Sequence, residues 1–280
     1  MKLPSSILRS PGSKNKFVPY AERFVRDQRP RTIVEPYAGS AVVGLTLLDR
    51  GYGQQLAIAE KDPELRLFWD VALSDSGLAR RVREWTHDMW AVQPGKRHDF
   101  AVESAVRLAK TDPAFSVLLR SRLGFNGILR DRIAVSTNHP ARHWWPLNLG
   151  SSLKFLYAAR KKIRVFSDGF DALQQTDSPD SYAFVDPPYT FGKYSPGHKL
   201  YRHSKVDHEA LLRLLASWAG SWQLTQEHCP EILRCLRGIS FEPPLFQRYL
   251  FPVRTANGAE KVELVLSRRS RLFDELRMAA

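Results

Sequence analysis

The feature that most constrains this chain is a strand-then-helix rhythm, interrupted by a long strand-free middle and resumed downstream. Thr32 to Glu35 is a short apolar run stopped by Pro36, followed by small residues and a helical run from Val42 to Asp49. Gln55 to Glu60 repeats the strand pattern, and Pro63 opens a helix through Leu65, Phe68 and Ala72. Past the interruption come strands at Ile163 to Phe166 and Tyr182 to Val185, an amphipathic helix from His208 to Trp218, and a strand at Trp222 to Thr225. Gln247 to Phe251 and Lys261 to Leu266 flank Asn257-Gly258 and read as an antiparallel pair. Strands joined by helices lie parallel. The expected fold is therefore α/β: a doubly wound Rossmann-like sheet, mostly parallel with one antiparallel strand.

The middle is different in kind. Leu78, Val82, Trp85 and Met89 recur at helical spacing, and Thr111-Asp112-Pro113 is a helix start for Ala114 to Leu123. Arg122 to His143, rich in Arg, Asn, His and Gly, is expected to be a loop or hairpin. This gives a core of residues 1–73 and 163–280, split by a mainly helical insertion over 74–162. Between Val71 and Val165 stand 17 Lys and Arg against 7 Asp and Glu, so this third supplies +10 of the chain's +13. Charge this uneven favours a polyanionic partner, because each phosphate contacted releases condensed counterions. Nucleic acid is favoured over a membrane surface, since no basic amphipathic helix stands alone as an anchor would. No apolar run is long enough to cross a bilayer, and no apolar segment follows the basic N-terminal stretch as in a secretory signal. With only Cys229 and Cys235, not in a Cys-x-x-Cys pair, the expected setting is the reducing cytoplasm.

Three groups of residues carry chemistry. Glu35-Pro36-Tyr37-Ala38-Gly39-Ser40-Ala41 stands at a strand end and runs into a helix. Small residues there let the backbone approach a ligand, and the helix N-terminus offers unpaired N–H donors. Glu60 ends the next strand about 20 residues on, where an acid reaches the ribose hydroxyls of a bound nucleoside. Asp186-Pro187-Pro188-Tyr189 follows the strand Ala183 to Val185. Its carboxylate and a free proline carbonyl are acceptors, and its tyrosine is a flat plate, a set that suits a base bearing an exocyclic NH2. Taken singly, these are a tight turn, a helix-start charge and a capped rigid turn. In this order, at strand ends, they point to a nucleoside-type cofactor and a base.

The chain resembles the Dam-like class of S-adenosylmethionine-dependent adenine-N6 DNA methyltransferases over most of its length. Gly12-Ser13-Lys14 looks like the class's Gly-Gly-Lys segment, with Ser13 in place of a glycine, and Ala41 stands where the loop usually has a second glycine. The resemblance implies a cofactor site of Lys14, Glu35, Pro36, Tyr37, Ala38, Gly39, Ser40, Glu60, Asp168, Phe170 and Asp186. It also implies a catalytic tetrapeptide of Asp186, Pro187, Pro188 and Tyr189. Leu123 to Arg130 looks like the Asn-Gly-x-x-Arg signature of the class's DNA-contacting region, which assigns DNA contacts to Arg122, Asn126, Gly127, Arg130 and Arg132. The segment after Arg130 lacks the expected Asn-Pro pattern. Tyr201 to Leu212 and Val262 to Leu264 also fit the class.

The implied reaction is methyl transfer to N6 of an adenine flipped out of double-stranded DNA. No metal is called for: His139 and His143 have a zinc-like spacing but no second pair of ligands. Trp144 and Trp145 are expected to be buried beneath the insertion. A cognate restriction endonuclease is an open partner, and the oligomeric state is not readable. The competing readings are amino methylation of cytosine, an RNA substrate, and a silent DNA-binding protein on the same fold. The intact Asp186 and Tyr189 argue against the last.

Overall fold

A computed structural model describes residues 6–10, 12–124, 127–129, 141–190, 201–241, 247–254 and 260–269. Its centre is a seven-stranded sheet in the order β3-β2-β1-β4-β5-β7-β6. Strand β1 (Thr32–Glu35) pairs in parallel with β2 (Gln55–Ala59) on one side and β4 (Ser181–Val185) on the other. The sheet continues in parallel through β3 (Ile163–Phe166) beside β2 and β5 (Ser221–Glu227) beside β4. Strand β7 (Glu260–Arg268) runs antiparallel to β5, and β6 (Gln247–Arg254) antiparallel to β7, so β7 is the one reversed strand. Asn257-Gly258, read as the turn of that pair, lies outside the described residues. The strand order reverses between β1 and β4, and the crevice beyond the carboxyl ends there is where such sheets bind ligands.

Side-chain alternation decides what faces that crevice. Val34, Ala57, Ala59, Ala183, Val185 and Leu224 belong to one core layer, while Ile33, Ile58, Tyr182 and Phe184 belong to the other. One residue on from each apolar run, the period of two puts Glu35, Glu60, Asp186 and Thr225 on the face of Ile33 and Phe184. Glu263 of β7 shares that face with Val265. The fold thus gathers four carboxylates on one side of the sheet's carboxyl edge.

Helices cover both faces. Helix α1 (Val18–Val25) and α2 (Val42–Asp49) pack on the Ile33 side. Helix α3 (Pro63–Ser74) is capped by Asp62, whose Oδ1 accepts from Glu64 N at 2.9 Å, and Pro63 occupies its first turn. The described part of the middle contains α4 (Leu78–Ala91), α5 (Arg97–Thr111), α6 (Pro113–Leu123), the single turn α7 (Ala141–Trp144) and α8 (Leu149–Ala159). Asp112 caps α6 by accepting from Phe115 N at 3.2 Å, as Thr111-Asp112-Pro113 suggested. Trp85, Phe115, Trp144 and Trp145 are buried together in the layer that also contains Ile33 and Phe184. The middle segment therefore shares one apolar core with the sheet. On the other face lie α9 (Gly169–Gln175), α10 (His208–Ser217) and α11 (Pro230–Arg237).

Candidate active site

The loop after β1 is built for close approach. Gly39 and Ala41 both adopt the left-handed region, at φ of 47° and 48°. Ala41 N donates to Ala38 O and Ala38 N to Ala59 O at 3.0 Å, tying the loop to the end of β2. For Ala41 this conformation crowds the Cβ, which is why a glycine is usual at such a position. Behind the loop, Glu35 Oε2 accepts from Gly44 N in α2 at 2.7 Å. A Cβ on Gly44 would sit 2.8 Å from that oxygen and 2.6 Å from Leu56, so only glycine lets α2 close on the acid. Burial raises the Glu35 pKa to about 8, against the opposing pull of the Gly44 N–H.

Glu60 follows β2, and its Oε1 accepts from Asp62 N at 2.9 Å. Burial raises its pKa to about 7. Asp168 caps α9 by accepting from Phe170 N at 2.8 Å. Gly169 is required beside it, because a Cβ would meet Pro36 O at 2.4 Å. Tyr37 has a buried hydroxyl with no hydrogen-bond partner among the described residues. These residues enclose a cavity of about 360 Å³, within the roughly 300–1,000 Å³ usual for small-molecule sites. Lys14, Glu35, Pro36, Tyr37, Ala38, Gly39, Ser40, Glu60, Asp168, Phe170 and Asp186 all line it. Every residue expected at a cofactor site therefore meets in one place.

The Asp186-Pro187-Pro188-Tyr189 segment leaves β4 at the mouth of this cavity, which Asp186 and Pro188 line. Parallel register sets Val185 against Leu224, which brings Thr225 beside Asp186. Thr225 Oγ1 and Tyr189 OH, the latter at 3.1 Å, both donate to Asp186 Oδ1. Lys14 Nζ stands 3.2 Å from the same oxygen, and its ammonium also donates to Tyr189 OH and Glu263 Oε1, each at 3.1 Å. Tyr189 thus contributes a hydroxyl anchor in addition to the aromatic face legible from its type. Lys14, expected beside the cofactor, lines the cavity but commits its charge to Asp186 and Glu263. Past the tetrapeptide, Thr190 Oγ1 meets His208 Nε2 at 2.9 Å, and His208 Nδ1 meets Gln226 Nε2 at 2.8 Å. Burial lowers the His208 pKa to about 4, so the ring is neutral and acts as a fixed strut.

The residues expected to touch DNA separate. Arg122 is buried, and its guanidinium donates to Trp144 O and Ser6 O at 2.8 Å each. It joins the N-terminal segment to α7, and burial plus the neighbouring Arg9 charge lowers its pKa to about 9. A guanidinium so placed has no surface to offer a phosphate. Gly127 is buried at φ 74°, where a Cβ would meet the Arg9 carbonyl at 2.6 Å. Asn126, Arg130 and Arg132 lie outside the described residues, as does His139, while His143 is exposed. Thr225, Glu263, His208 and Gln226 were not singled out as site residues from the sequence. Thr225 and Glu263 could have been found by extending strand parity from Asp186 to the neighbouring strands.

A sheet in this order with β7 reversed, carrying an acid at the ends of β1, β2 and β4 around one cavity, defines a Rossmann-like methyltransferase. The chain belongs to the D12 class N6 adenine-specific DNA methyltransferase family, whose sequence profile matches residues 10–233. No curated protein matches by sequence. Among solved structures, the chain is similar to an RNA methyltransferase candidate from Pyrococcus horikoshii at 13% identity and a TM-score of 0.44, covering 94% of this chain and 84% of that one. It is also similar to a methyltransferase candidate from Escherichia coli at 13% identity and a TM-score of 0.40, covering 96% and 91%.

Proposed function

We propose that this enzyme transfers a methyl group from S-adenosylmethionine to N6 of an adenine flipped out of double-stranded DNA. The observation that carries the reading is the asymmetry of the Asp186 carboxylate. Oδ1 is held by Thr225, Tyr189 and Lys14, whereas Oδ2 has no partner among the described residues. A free carboxylate oxygen beside a proline carbonyl offers two acceptors to the two N–H bonds of an exocyclic amine. That amine is a poor nucleophile while its lone pair is delocalised into the ring. Accepting its two hydrogens localises the lone pair, and the negative charge at Asp186 stabilises the positive charge that grows on nitrogen.

The cavity fits the cofactor on its own chemistry. Glu60, held by the backbone of Asp62, Gly39 and Lys61, lines the cavity as an acceptor for ribose hydroxyls, and the Tyr37 hydroxyl, unpaired among the described residues, suits a polar partner. Glu35, held protonated near neutrality, gains from a cation nearby. When bound, S-adenosylmethionine supplies a methyl group on a positively charged sulfur. The chain's part is to hold, orient and exclude water.

For the nucleic acid, residues 74–162 form the recognition insertion in this reading, and the rest of the chain is catalytic. Arg83, Lys96, Arg107, Lys110, Lys154, Lys161 and Lys162 are exposed in or beside it, and each is available to a phosphate. A target atom inside the stack is beyond reach of Asp186, so the nucleotide must leave the duplex. The test is transfer of a labelled methyl group to duplex DNA and to RNA, in parallel. Label in the duplex is expected; label in RNA alone overturns the proposal.

A further inference from the structure

Glu263 sits beside the proposed base pocket without joining it. It lies on β7 between Val262 and Leu264, opposite Glu227 of β5, on the sheet face of buried Val265. Its Oε1 accepts from Lys14 Nζ at 3.1 Å, the Tyr189 hydroxyl also favours its charged form, and its Oε2 is buried with no hydrogen-bond partner among the described residues. The two side chains are 12% and 9% exposed. An acid here is poor strand chemistry. A leucine would satisfy the same position without leaving a buried oxygen unpaired.

What Glu263 does is divide the attention of Lys14. The ammonium stands 3.2 Å from Asp186 Oδ1 and 3.1 Å from Glu263 Oε1, so two carboxylates share one cation. Burial works against the charge on Lys14, yet the two acids outweigh it and raise its pKa. The same burial raises the Glu263 pKa, opposed by Lys14. With both acids ionised, the cluster of Asp186, Glu263 and Lys14 carries one net negative charge. Without Glu263, Lys14 and Asp186 would form a closed neutral pair.

We infer that Glu263 is a positioning residue for methyl transfer, acting through Lys14. It draws the ammonium to a midpoint from which Lys14 fixes Oδ1 without neutralising Asp186, and so keeps Oδ2 basic toward the amino group. The inference rests on the reading of Asp186 as the acceptor for that amine. Glu263 does not line the cofactor cavity, so its loss should leave cofactor binding alone.

The experiment measures single-turnover methylation of duplex DNA at saturating cofactor for the wild type, Glu263→Gln, Glu263→Leu, Lys14→Met and the Glu263→Leu/Lys14→Met pair. Cofactor affinity and melting temperature are recorded for each. Both Glu263 variants should be at least tenfold slower, with cofactor affinity within twofold of wild type. Glu263→Leu should melt no lower than wild type, because it removes a buried carboxylate, whereas a residue kept for structure would give a lower melt. The double variant should be no slower than Lys14→Met if Glu263 works through that lysine and not through its contact with Tyr189. A rate within twofold of wild type for Glu263→Leu, or multiplicative losses in the double variant, overturns the inference. Asp186→Ala run alongside separates the two readings. If it stays active, the base-pocket reading itself has failed; if it is dead while Glu263→Leu is fast, only the role of Glu263 has.

Discussion

The two sides of the candidate active site are held in opposite ways. Around Asp186 the polar groups are bonded to one another in advance: three donors converge on one oxygen, and Lys14 is shared between two carboxylates. Around the cavity beneath it, Glu35 and Glu60 are acids pushed by burial to about 8 and about 7, and the Tyr37 hydroxyl has no partner among the described residues. In the proposed reading the Asp186 side receives the base and is pre-organised, so little reorganisation is left for the moment of reaction. The cavity is the cofactor side in that reading, where the raised acids and the Tyr37 hydroxyl suit a polar, positively charged ligand.

The comparison breaks first at Asp186. Asp186→Ala should reduce single-turnover methylation at least about a thousandfold, of the order seen when a preorganised electrostatic group is lost. Cofactor affinity, measured by calorimetry, should fall far less, although Asp186 borders the cavity. Equal losses in both would mean that the two sides are not separate.

Glu60→Ala should do the reverse. Cofactor binding should weaken by about 1.5–3 kcal/mol, the range for a hydrogen bond to a charged group, with the saturated rate largely kept. The raised pKa values add a pH signature. A cation entering beside Glu35 and Glu60 favours their ionised forms, so binding near pH 7 should release protons. Affinity should then rise between pH 6 and 8.5. The unliganded protein should behave oppositely: its folded state binds more protons than the unfolded chain from the normal carboxylate range up to about pH 8, so stability falls as pH rises through that window. Calorimetry in buffers of different ionisation enthalpy and pH-resolved melts check the pair.

Arg122 and Ala41 sharpen the contrast at smaller scale. Arg122→Met strands the carbonyls of Ser6 and Trp144 and should cost about 1–3 kcal/mol of stability. The salt dependence of DNA binding should not move, and a slope reduced by about one unit would return Arg122 to the DNA surface. Ala41→Gly relieves a left-handed alanine at φ 48° and should stabilise by about 0.5–1 kcal/mol, after the entropy of the freer unfolded chain is subtracted. A lower melting temperature would show that Ala41 is not strained.

Much of this was legible in the sequence, for identifiable reasons. Apolar strands ending at Glu35, Glu60 and Asp186 announced both the sheet and the cavity, because strand parity and strand ends fix where such acids point. The reversed β7 followed from the Asn257-Gly258 pattern between two apolar runs. Helix α5 was not legible as an element because its buried face is made of Ala101, Ser104 and Ala105, too small to give a clear apolar period. Arg122 was misplaced because charge suggests a surface, and only the packing of α6 against the N-terminal segment shows three carbonyls within its reach. The position of Glu263 follows from strand parity, but its pairing with Lys14, and the contacts of His208 with Thr190 and Gln226, needed tertiary structure.

The central claim concerns one atom of one base. Genomic DNA incubated with S-adenosylmethionine and the wild-type enzyme, digested to nucleosides and analysed by mass spectrometry, identifies that atom directly. The account predicts N6-methyladenine as the product, and none with Asp186→Ala. N4-methylcytosine as the product, or N6-methyladenine formed equally well by Asp186→Ala, would contradict it.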